Sequence, residues 1–248
     1  MAAVVIGHLP LGIVGLIFAG LPKFDSLIFL ILSVTFHFFY QFFLLNSYRY
    51  GELTFVYPIA RGLSPLLLTI YSVFFFSEKL SEKEVIGIVI VSFSIMIIGI
   101  VNIVKYKVDL KTLLFAIITG FFISLYSMAD GMGARINEDA ISYYSAMTIA
   151  NGIVFAIFIK IFHPLKFKNV FFEGRNVFII GGSASYIAYL IVVWACISTP
   201  IAIVSSLREC SVIFALILGI FFLKEKFTLV KLFMTIGIFF GIVLMKIN

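Results

Sequence analysis

The sequence has little charge. Only 12% of its 248 residues are Asp, Glu, Lys or Arg, whereas 62% are hydrophobic and the mean hydropathy is +1.19. This composition excludes a soluble globular domain, in which about a quarter of the residues are charged. Apolar runs of about 17 to 25 residues recur along the chain, and each is long enough to cross a bilayer as a helix. The runs are continuous rather than alternating, which favours helices over barrel strands.

We therefore predict an all-α integral membrane protein with about nine transmembrane helices and short connections. The first apolar segment has no basic region before it, so we interpret it as a retained helix rather than a signal peptide. The predicted spans are residues 2–20, 26–46, 54–76, 85–104, 112–130, 141–161, 177–197, 200–223 and 229–246.

Cysteine and histidine are scarce, and the usual catalytic motifs are missing. The two cysteines, Cys196 and Cys210, lie in or beside predicted spans, so they indicate neither a disulfide framework nor a metal site. The three histidines form no HExxH motif, and the chain has no GxSxG motif and no Gly-rich phosphate loop. We therefore expect no enzymatic activity, no cofactor and no bound metal.

The net charge of +6 comes from lysines scattered around the span ends, which is the usual pattern of membrane-flanking loops. No basic patch that would bind nucleic acid is visible. The bilayer and a small-molecule solute are thus the expected partners, with a homodimer left open.

An internal similarity relates the two halves of the chain. The segment ARGLSPLLLTIYSVFFFSEKLS aligns without gaps on LRECSVIFALILGIFFLKEKFT at an offset of 147 residues, as from Arg61 to Arg208. Ser64 then aligns with Ser211, and the Glu78–Lys79 pair with Glu225–Lys226. Because five predicted helices separate the two segments, they enter the membrane from opposite sides, as an inverted repeat requires.

The two arginines lie inside apolar spans. A charge at the centre of a membrane helix costs about 2.5 to 3.5 kcal/mol, so it usually faces a partner or an aqueous pathway. Helical spacing puts Tyr57, Arg61 and Ser64 on one face, and Ser205, Arg208 and Ser211 on another, with Glu209 adjacent. These seven residues are candidate solute-binding residues. The alternative is a salt bridge to Glu209 that merely fixes helix packing.

Three further residues are candidates for the same site. Asp130 ends a span that contains Ser124, Tyr126 and Ser127, although an ordinary interfacial carboxylate is an equal alternative. Tyr189 and Trp194 present aromatic surface at roughly helical spacing, for which plain packing is the alternative. His37 and Gln41 show the same ambiguity.

Three stretches together resemble a known family. They are YRYGELTFVYPIARGLSPLLL followed by SEKLS, then YSMADGMGAR, and then STPIAIVSSLRECSVIFALILGIFFLKEKF. They resemble EamA-type members of the drug/metabolite transporter superfamily over essentially the full chain. The resemblance implies ten helices in two inverted five-helix repeats, and transport of a metabolite or drug.

The first half lacks a counterpart for roughly residues 111–147, which is one helix. We thus expect repeats of four plus five helices, residues 1–106 and 107–248, where the family pattern is five plus five. A start site upstream of Met1 or a truncation would explain this difference. The lysine and arginine distribution places the amino terminus in the cytoplasm and the carboxyl terminus outside, whereas the resemblance implies that both ends are cytoplasmic.

The predicted function is transport of a small polar metabolite, anionic or zwitterionic and amino-acid-like, by alternating access. Proton coupling, exchange and facilitated diffusion all stay open, with Glu209 and Asp130 as candidate proton carriers. The alternatives are a flippase for a lipid-linked or amphipathic molecule, and a non-transporting subunit or truncated remnant. We expect a multi-pass protein of the bacterial cytoplasmic membrane.

Overall fold

The computed structural model describes residues 1–50, 53–106, 108–224 and 228–247, and they form helices joined by short connections. Twelve α-helices lie within these ranges, together with a 3₁₀ helix, Phe24–Ser26, and a π-helical turn, Val177–Gly181. The α-helices are α1 Ala2–Gly7, α2 Leu9–Ala19, α3 Leu27–Tyr50, α4 Leu53–Phe76, α5 Glu82–Tyr106, α6 Leu110–Asn137, α7 Ala140–Phe162, α8 Pro164–Phe172, α9 Gly182–Ala195, α10 Ile201–Arg208, α11 Ser211–Leu223 and α12 Leu229–Lys246.

The described ranges contain nine segments that are long and apolar enough to cross a membrane, and each overlaps a predicted span. The all-α membrane fold class is therefore confirmed. The largest difference in bounds is at α6, which was predicted over 112–130 but continues to Asn137. Large apolar side chains such as Ile17, Phe18 and Phe239 are 66–86% exposed, as expected for surfaces that face lipid.

Three of the predicted spans are not single α-helices. The one over 177–197 begins with the π-helical turn Val177–Gly181. The one over 2–20 is confirmed as a single membrane-crossing segment, Ala2–Ala19, but it has a turn at His8 between α1 and α2, and Pro10 lies at the start of α2. Proline has no amide hydrogen and clashes with the preceding turn, so a helix bends or restarts around it.

The span predicted over 200–223 is divided at Glu209 and Cys210. The amides of Glu209 and Cys210 bond to the carbonyls of Ser206 and Leu207, three residues back, at 3.1 and 3.0 Å. Val212 and Ile213 continue this pattern to Glu209 and Cys210, at 3.0 and 2.9 Å. A short 3₁₀ segment thus interrupts the α-helical pattern inside an apolar span, a feature that often marks a functional hinge.

The chain forms two compact units, and each unit draws on both halves of the sequence. Unit 1 consists of Met1–Phe38 and Ala129–Ser198, and unit 2 of Phe39–Met128 and Thr199–Asn248. The core of unit 1 is rich in tyrosine, and its fully buried members are Ala134, Ala140, Tyr143, Tyr144, Met147, Tyr186 and Val193. Unit 2 has a smaller aliphatic cluster of Leu44, Val56, Ile59 and Ala116.

In unit 2, α5 and α12 approach so closely that only glycine fits between their backbones. A Cβ atom added to Gly87 would lie 2.6 Å from the carbonyl oxygen of Gly241, and one added to Gly241 would lie 2.7 Å from the carbonyl oxygen of Gly87. Small residues at such crossings allow the backbone contact that drives helix association in lipid. The two glycines therefore fix the distance between α5 and α12.

The offset of 147 residues also relates backbone features. Ser77 and Lys224, which differ by this offset, both adopt the left-handed conformation, with φ of 52° and 54°. Four residues later, the hydroxyl of Ser81 accepts from the amide of Glu84 at 3.3 Å, and that of Thr228 accepts from the amide of Lys231 at 3.4 Å. Both hydroxyls act as helix N-caps. Glu225 and Lys226, the other partners in the predicted repeat, lie outside the described residues.

Candidate functional site

In unit 2, one buried carboxylate contacts both predicted arginines. Arg61 Nε donates to Glu209 Oε2 at 2.9 Å, and Arg208 Nε lies 3.6 Å from Glu209 Oε1. The Glu209 side chain is fully buried, while those of Arg61 and Arg208 are 16% and 10% exposed. The alternative interpretation, in which Glu209 forms a salt bridge to an arginine, therefore describes contacts that are present.

Two more predicted residues contact Arg61. Its Nη2 donates to Ser211 Oγ at 3.2 Å, and its Cζ atom lies 5.4 Å from the centroid of the Tyr57 ring. That distance is within the range of a cation–π interaction. Tyr57 is 37% exposed, so part of its surface is not covered by the contact with Arg61. We call Tyr57, Arg61, Arg208, Glu209 and Ser211 the arginine cluster.

The backbone of unit 2 explains how these side chains meet. Arg208 is the last residue of α10, Glu209 lies in the 3₁₀ segment and Ser211 begins α11, so the helix interruption lies at the charged residues. At the other end of α10, the carboxylate of Glu78 accepts from the amide of Ile201 at 3.2 and 3.4 Å. An acidic group at a helix amino terminus offsets its dipole, and here it anchors α10.

Ser64 and Ser205 are buried but are not among the residues that contact the arginines. Their side chains are 0% and 2% exposed, and neither hydroxyl has a hydrogen-bond partner in the part of the chain that the structure describes. A buried hydroxyl without a partner loses about 1 to 3 kcal/mol of solvation. Both stay candidate binding residues, because a bound solute or water would satisfy them.

A second polar cluster lies in unit 1, around Asp130. This carboxylate is 1% exposed, and it accepts from Ser33 Oγ at Oδ1 and from Tyr189 OH at Oδ2, the latter at 2.9 Å. His37 Nε2 lies 3.9 Å from the same Oδ2 atom. We call Ser33, His37, Asp130 and Tyr189 the aspartate cluster. Helix α6 continues for seven residues beyond Asp130, to Asn137, and the carboxylate is buried inside unit 1.

Comparisons with known proteins identify the family. The model of the EamA-like transporter family matches residues 110–247, which is more than half of the chain. The chain belongs to the EamA-like transporter family. It is therefore a multi-pass membrane transporter by family.

The solved structures agree with this EamA-like transporter in fold. One of 23 matching chains, described only as a crystal structure of a protein, superposes with a TM-score of 0.74 at 16% sequence identity. The alignment covers 98% of this chain and 85% of that chain. At this identity the likeness shows the fold alone. No curated protein matches the sequence.

Sequence reasoning located some residues of this transporter's polar clusters and missed others. It named Tyr57, Arg61, Arg208, Glu209 and Ser211, and these are the residues that form the arginine cluster. Trp194 is 66% exposed, so its indole lies at the surface of unit 1 rather than with Asp130. A tryptophan near the end of a span commonly faces the membrane interface, because its ring is amphipathic.

Ser33 was not predicted, although it donates to Asp130. The signal was available: Ser33 and His37 are four residues apart and share one face of α3, in a mostly apolar and aromatic stretch in which Thr35 is the other polar residue between Leu32 and Phe39. The link from Ser33 to Asp130 spans 97 residues and the link from Asp130 to Tyr189 spans 59, which no local spacing encodes.

Proposed function

We propose that this EamA-like transporter carries a small polar solute with an anionic group, an anion or an amino-acid-like zwitterion, and that the arginine cluster binds that group. The observation that carries this proposal is the sharing of one carboxylate by two guanidinium groups. When all three side chains are ionised, Arg61, Arg208 and Glu209 together carry a charge of +1. A buried excess of positive charge favours an anion.

Glu209 shows which chemistry suits these arginines. Its carboxylate accepts from Arg61 Nε at 2.9 Å, which supports a carboxylate as a partner at this position. A guanidinium presents five N–H donors in a planar fork that matches carboxylate and phosphate oxygens. A solute carboxylate that joins the cluster would balance its charge, and one that displaces Glu209 would free that residue to move with the 3₁₀ segment.

We further propose alternating access by two repeats, residues 1–106 and 107–248, inverted relative to each other. Three observations support this proposal: the gapless alignment, the left-handed residues Ser77 and Lys224, and the N-caps Ser81 and Thr228 at the same offset. The interrupted helix at Glu209 is the kind of discontinuous element on which many carriers build their solute sites. The bacterial cytoplasmic membrane is the proposed location.

Thermal unfolding of the purified full chain tests the anion preference. Two matched pairs of compounds would be compared: succinate with 1,4-diaminobutane, which have the same number of carbon atoms, and alanine with alaninamide, which lacks the carboxylate. We expect a carboxylate to raise the unfolding temperature, since a ligand of the native state stabilises it by mass action. Arg61→Gln and Arg208→Gln should lose this shift.

Arg175→Gln is the matched control, because Arg175 is exposed in unit 1 and belongs to neither cluster. It should retain the shift of the unmodified protein. Equal stabilisation by the diamine, or an undiminished shift in both cluster variants, would exclude the arginine cluster as an anion site. Counterflow of radiolabelled succinate or alanine in proteoliposomes would then measure transport itself.

A further inference from the structure

We propose that Asp130 and His37 form a proton-binding site of this transporter, so that a proton is the second species bound during its cycle. The proposal extends the proposed function, because it assumes a carrier and names the ion that its cycle would use. The two residues lie in unit 1, on α6 and α3, and both are at most 9% exposed.

Burial makes the charge of Asp130 dependent on its neighbours. An isolated ionised carboxylate is very costly to bury, so it must be paired, hydrogen-bonded or protonated. Ser33 donates a hydrogen bond to Oδ1 of Asp130 and Tyr189 donates one to Oδ2. Both bonds stabilise the ionised form of the carboxylate. His37 is the titratable base at this carboxylate, with Nε2 3.9 Å from Oδ2.

The backbone fixes which imidazole nitrogen faces the carboxylate. His37 Nδ1 lies 3.0 Å from the carbonyl oxygen of Ser33, and because a carbonyl only accepts, Nδ1 carries a hydrogen in this contact. Nε2 is then the nitrogen that can gain a proton, 3.9 Å from Oδ2. A negative carboxylate at this distance favours the protonated imidazole, so the arrangement favours one proton held by the pair.

Proton balance gives the pair three states. With one proton the pair is neutral overall, as carboxylate and imidazolium or as carboxylic acid and imidazole. Losing that proton leaves a charge of −1, and gaining a second leaves +1. Both charged states are disfavoured while the site is buried, so exchange of the proton requires the site to open to water.

Other titratable groups face the pair from α7 and α9. Tyr189 donates to Asp130, Tyr143 lies within electrostatic range of Asp130, and the Tyr144 ring packs on Tyr189 with centroids 5.4 Å apart. Tyr186 packs on Tyr144 at 5.1 Å, and His8 lies edge-on to Tyr186 at 6.2 Å. Phenols ordinarily keep their protons between pH 5 and 8, and His8 packs against Tyr186, so Asp130 and His37 are the titratable groups placed next to each other.

The packing of the aromatic rings around Asp130 favours a proton over a larger cation as the species bound there. The rings of Tyr144, Tyr186 and Tyr189 are at the distances of direct aromatic contact, and the His37 ring is edge-on to Tyr189 at 6.2 Å. A metal cation or an ammonium group would have to separate these rings. A proton adds no volume and uses the carboxylate and imidazole as they are placed.

Infrared difference spectroscopy of the purified full chain tests proton binding directly, with the proton itself as probe. Spectra would be recorded from about pH 4 to about pH 9, where carboxyl and imidazole groups titrate. We expect one carboxylic acid C=O band with a pH-dependent intensity that is absent in Asp130→Asn. In His37→Gln its midpoint should shift by about one pH unit or more, because a coupled partner has been removed.

Two matched variants control for nonspecific effects. Glu138→Gln removes an exposed carboxyl group from the turn after α6, and His163→Gln removes an exposed imidazole, so neither should change the band. If Asp130→Asn does not fold, Ser33→Ala and Tyr189→Phe identify the band, since removal of either hydrogen bond should shift its frequency. A band that is unchanged in all of these variants, or an identical midpoint in His37→Gln, would overturn the proposal.

A second measurement separates this proposal from the proposed function. Proteoliposomes containing pyranine would report internal acidification when succinate is added outside. We expect acidification with the unmodified chain, and in His37→Gln the acidification should fall by a larger factor than succinate counterflow does. If succinate neither binds nor moves, the anion proposal fails and the infrared titration still decides proton binding. If succinate moves equally in both proteins without acidification, the proton proposal fails alone.

Discussion

The two arginine-bearing segments of unit 2 align residue by residue, yet their backbones differ. Helix α4 contains Pro58 and Pro65 and is continuous from Leu53 to Phe76. The aligned segment has no proline after Pro200 and is interrupted at Glu209 and Cys210. The usual helix-breaking residues therefore do not mark the interruption. It lies instead where a buried carboxylate contacts two guanidinium groups.

The difference indicates that the two segments have unequal roles. Arg61 is held by a continuous helix and makes the shorter contact to Glu209, 2.9 Å against 3.6 Å for Arg208. Glu209 and Arg208 lie at the interruption itself, where i→i−3 bonds replace part of the α-helical pattern. We infer that α4 supplies the fixed cation and the interrupted segment the adjustable groups.

The largest effect is expected for Glu209→Gln. It leaves two buried guanidinium groups facing a neutral amide, and removing one partner of a buried ion pair typically costs about 3 to 5 kcal/mol. Unfolding of the purified protein in mixed detergent micelles measures this loss. Glu173→Gln, at an exposed carboxylate on the turn after α8, is the control and should change stability by less than about 0.5 kcal/mol. Similar losses in the two variants would contradict a structural role for the cluster.

The next effect distinguishes the two arginines. Arg61→Gln removes hydrogen bonds to Glu209 and Ser211 and the contact with the Tyr57 ring, and bonds to charged groups contribute about 1.5 to 3 kcal/mol each. Arg208→Gln removes a longer contact and should cost less. The same unfolding measurement ranks them. A larger loss for Arg208→Gln would reverse the assignment of fixed and adjustable groups.

A smaller effect tests the symmetry of the two segments. Ser77→Gly and Lys224→Gly should each stabilise the protein by about 0.5 to 1 kcal/mol, because glycine adopts a left-handed conformation without the clash of a side chain. Lys79→Gly, in the same turn as Ser77 but without a positive φ, should be neutral or slightly destabilising. The melting temperatures of the three variants and of the unmodified protein measure these differences. Stabilisation at only one of Ser77 and Lys224 would break the backbone correspondence.

The smallest effect on stability is expected for an exposed ion pair, which serves as a reference for the buried ion pairs of the arginine cluster. Lys23 forms an ion pair with Glu138 at an exposed position of unit 1, and the hydrogen bond and charge of Lys23 lower the pKa of Glu138. A lowered folded-state pKa stabilises the protein above the unfolded pKa of about 4.3, and this contribution is lost as the pH falls through the folded-state pKa.

Glu138→Gln should therefore lower the melting temperature slightly at pH 7, and the difference should vanish when the pH falls below both pKa values of Glu138. Salt should reduce it as well, since exposed pairs are screened. A loss at pH 7 comparable to that of Glu209→Gln would mean that burial does not distinguish the arginine cluster from a surface pair.

Much of the fold was predictable from the sequence because lipid imposes a simple rule. Each backbone polar group in the bilayer needs an internal partner, so continuous apolar runs of the right length are helices. The rule gives the positions of spans but not their continuity. It did not predict the interruption at His8, even though Pro10 was visible, or the one at Glu209, where the local sequence carries no breaker.

The clusters were only partly predictable. Charged residues in apolar spans stand out, which is why Arg61, Arg208 and Asp130 could be named in advance. Glu209 could also be named as a partner of the arginines, because the internal repeat places it beside Arg208. Ser33 could not, because it meets Asp130 across 97 residues through tertiary packing. Aromatic spacing did not indicate that Trp194 is exposed while Tyr186 is buried, because spacing does not tell which face of α9 packs inward.

The close crossing of α5 and α12 offers a practical reference for measuring motion. Because Gly87 and Gly241 leave no room between the two backbones, these helices should keep one separation while other parts of the transporter move. Spin labels on exposed positions of this pair, in a background without Cys196 and Cys210, would provide an internal ruler of constant length. Distances between other pairs of labelled positions would be compared with this constant α5–α12 distance. Those that change when succinate or the pH is varied would report the movements of the transport cycle.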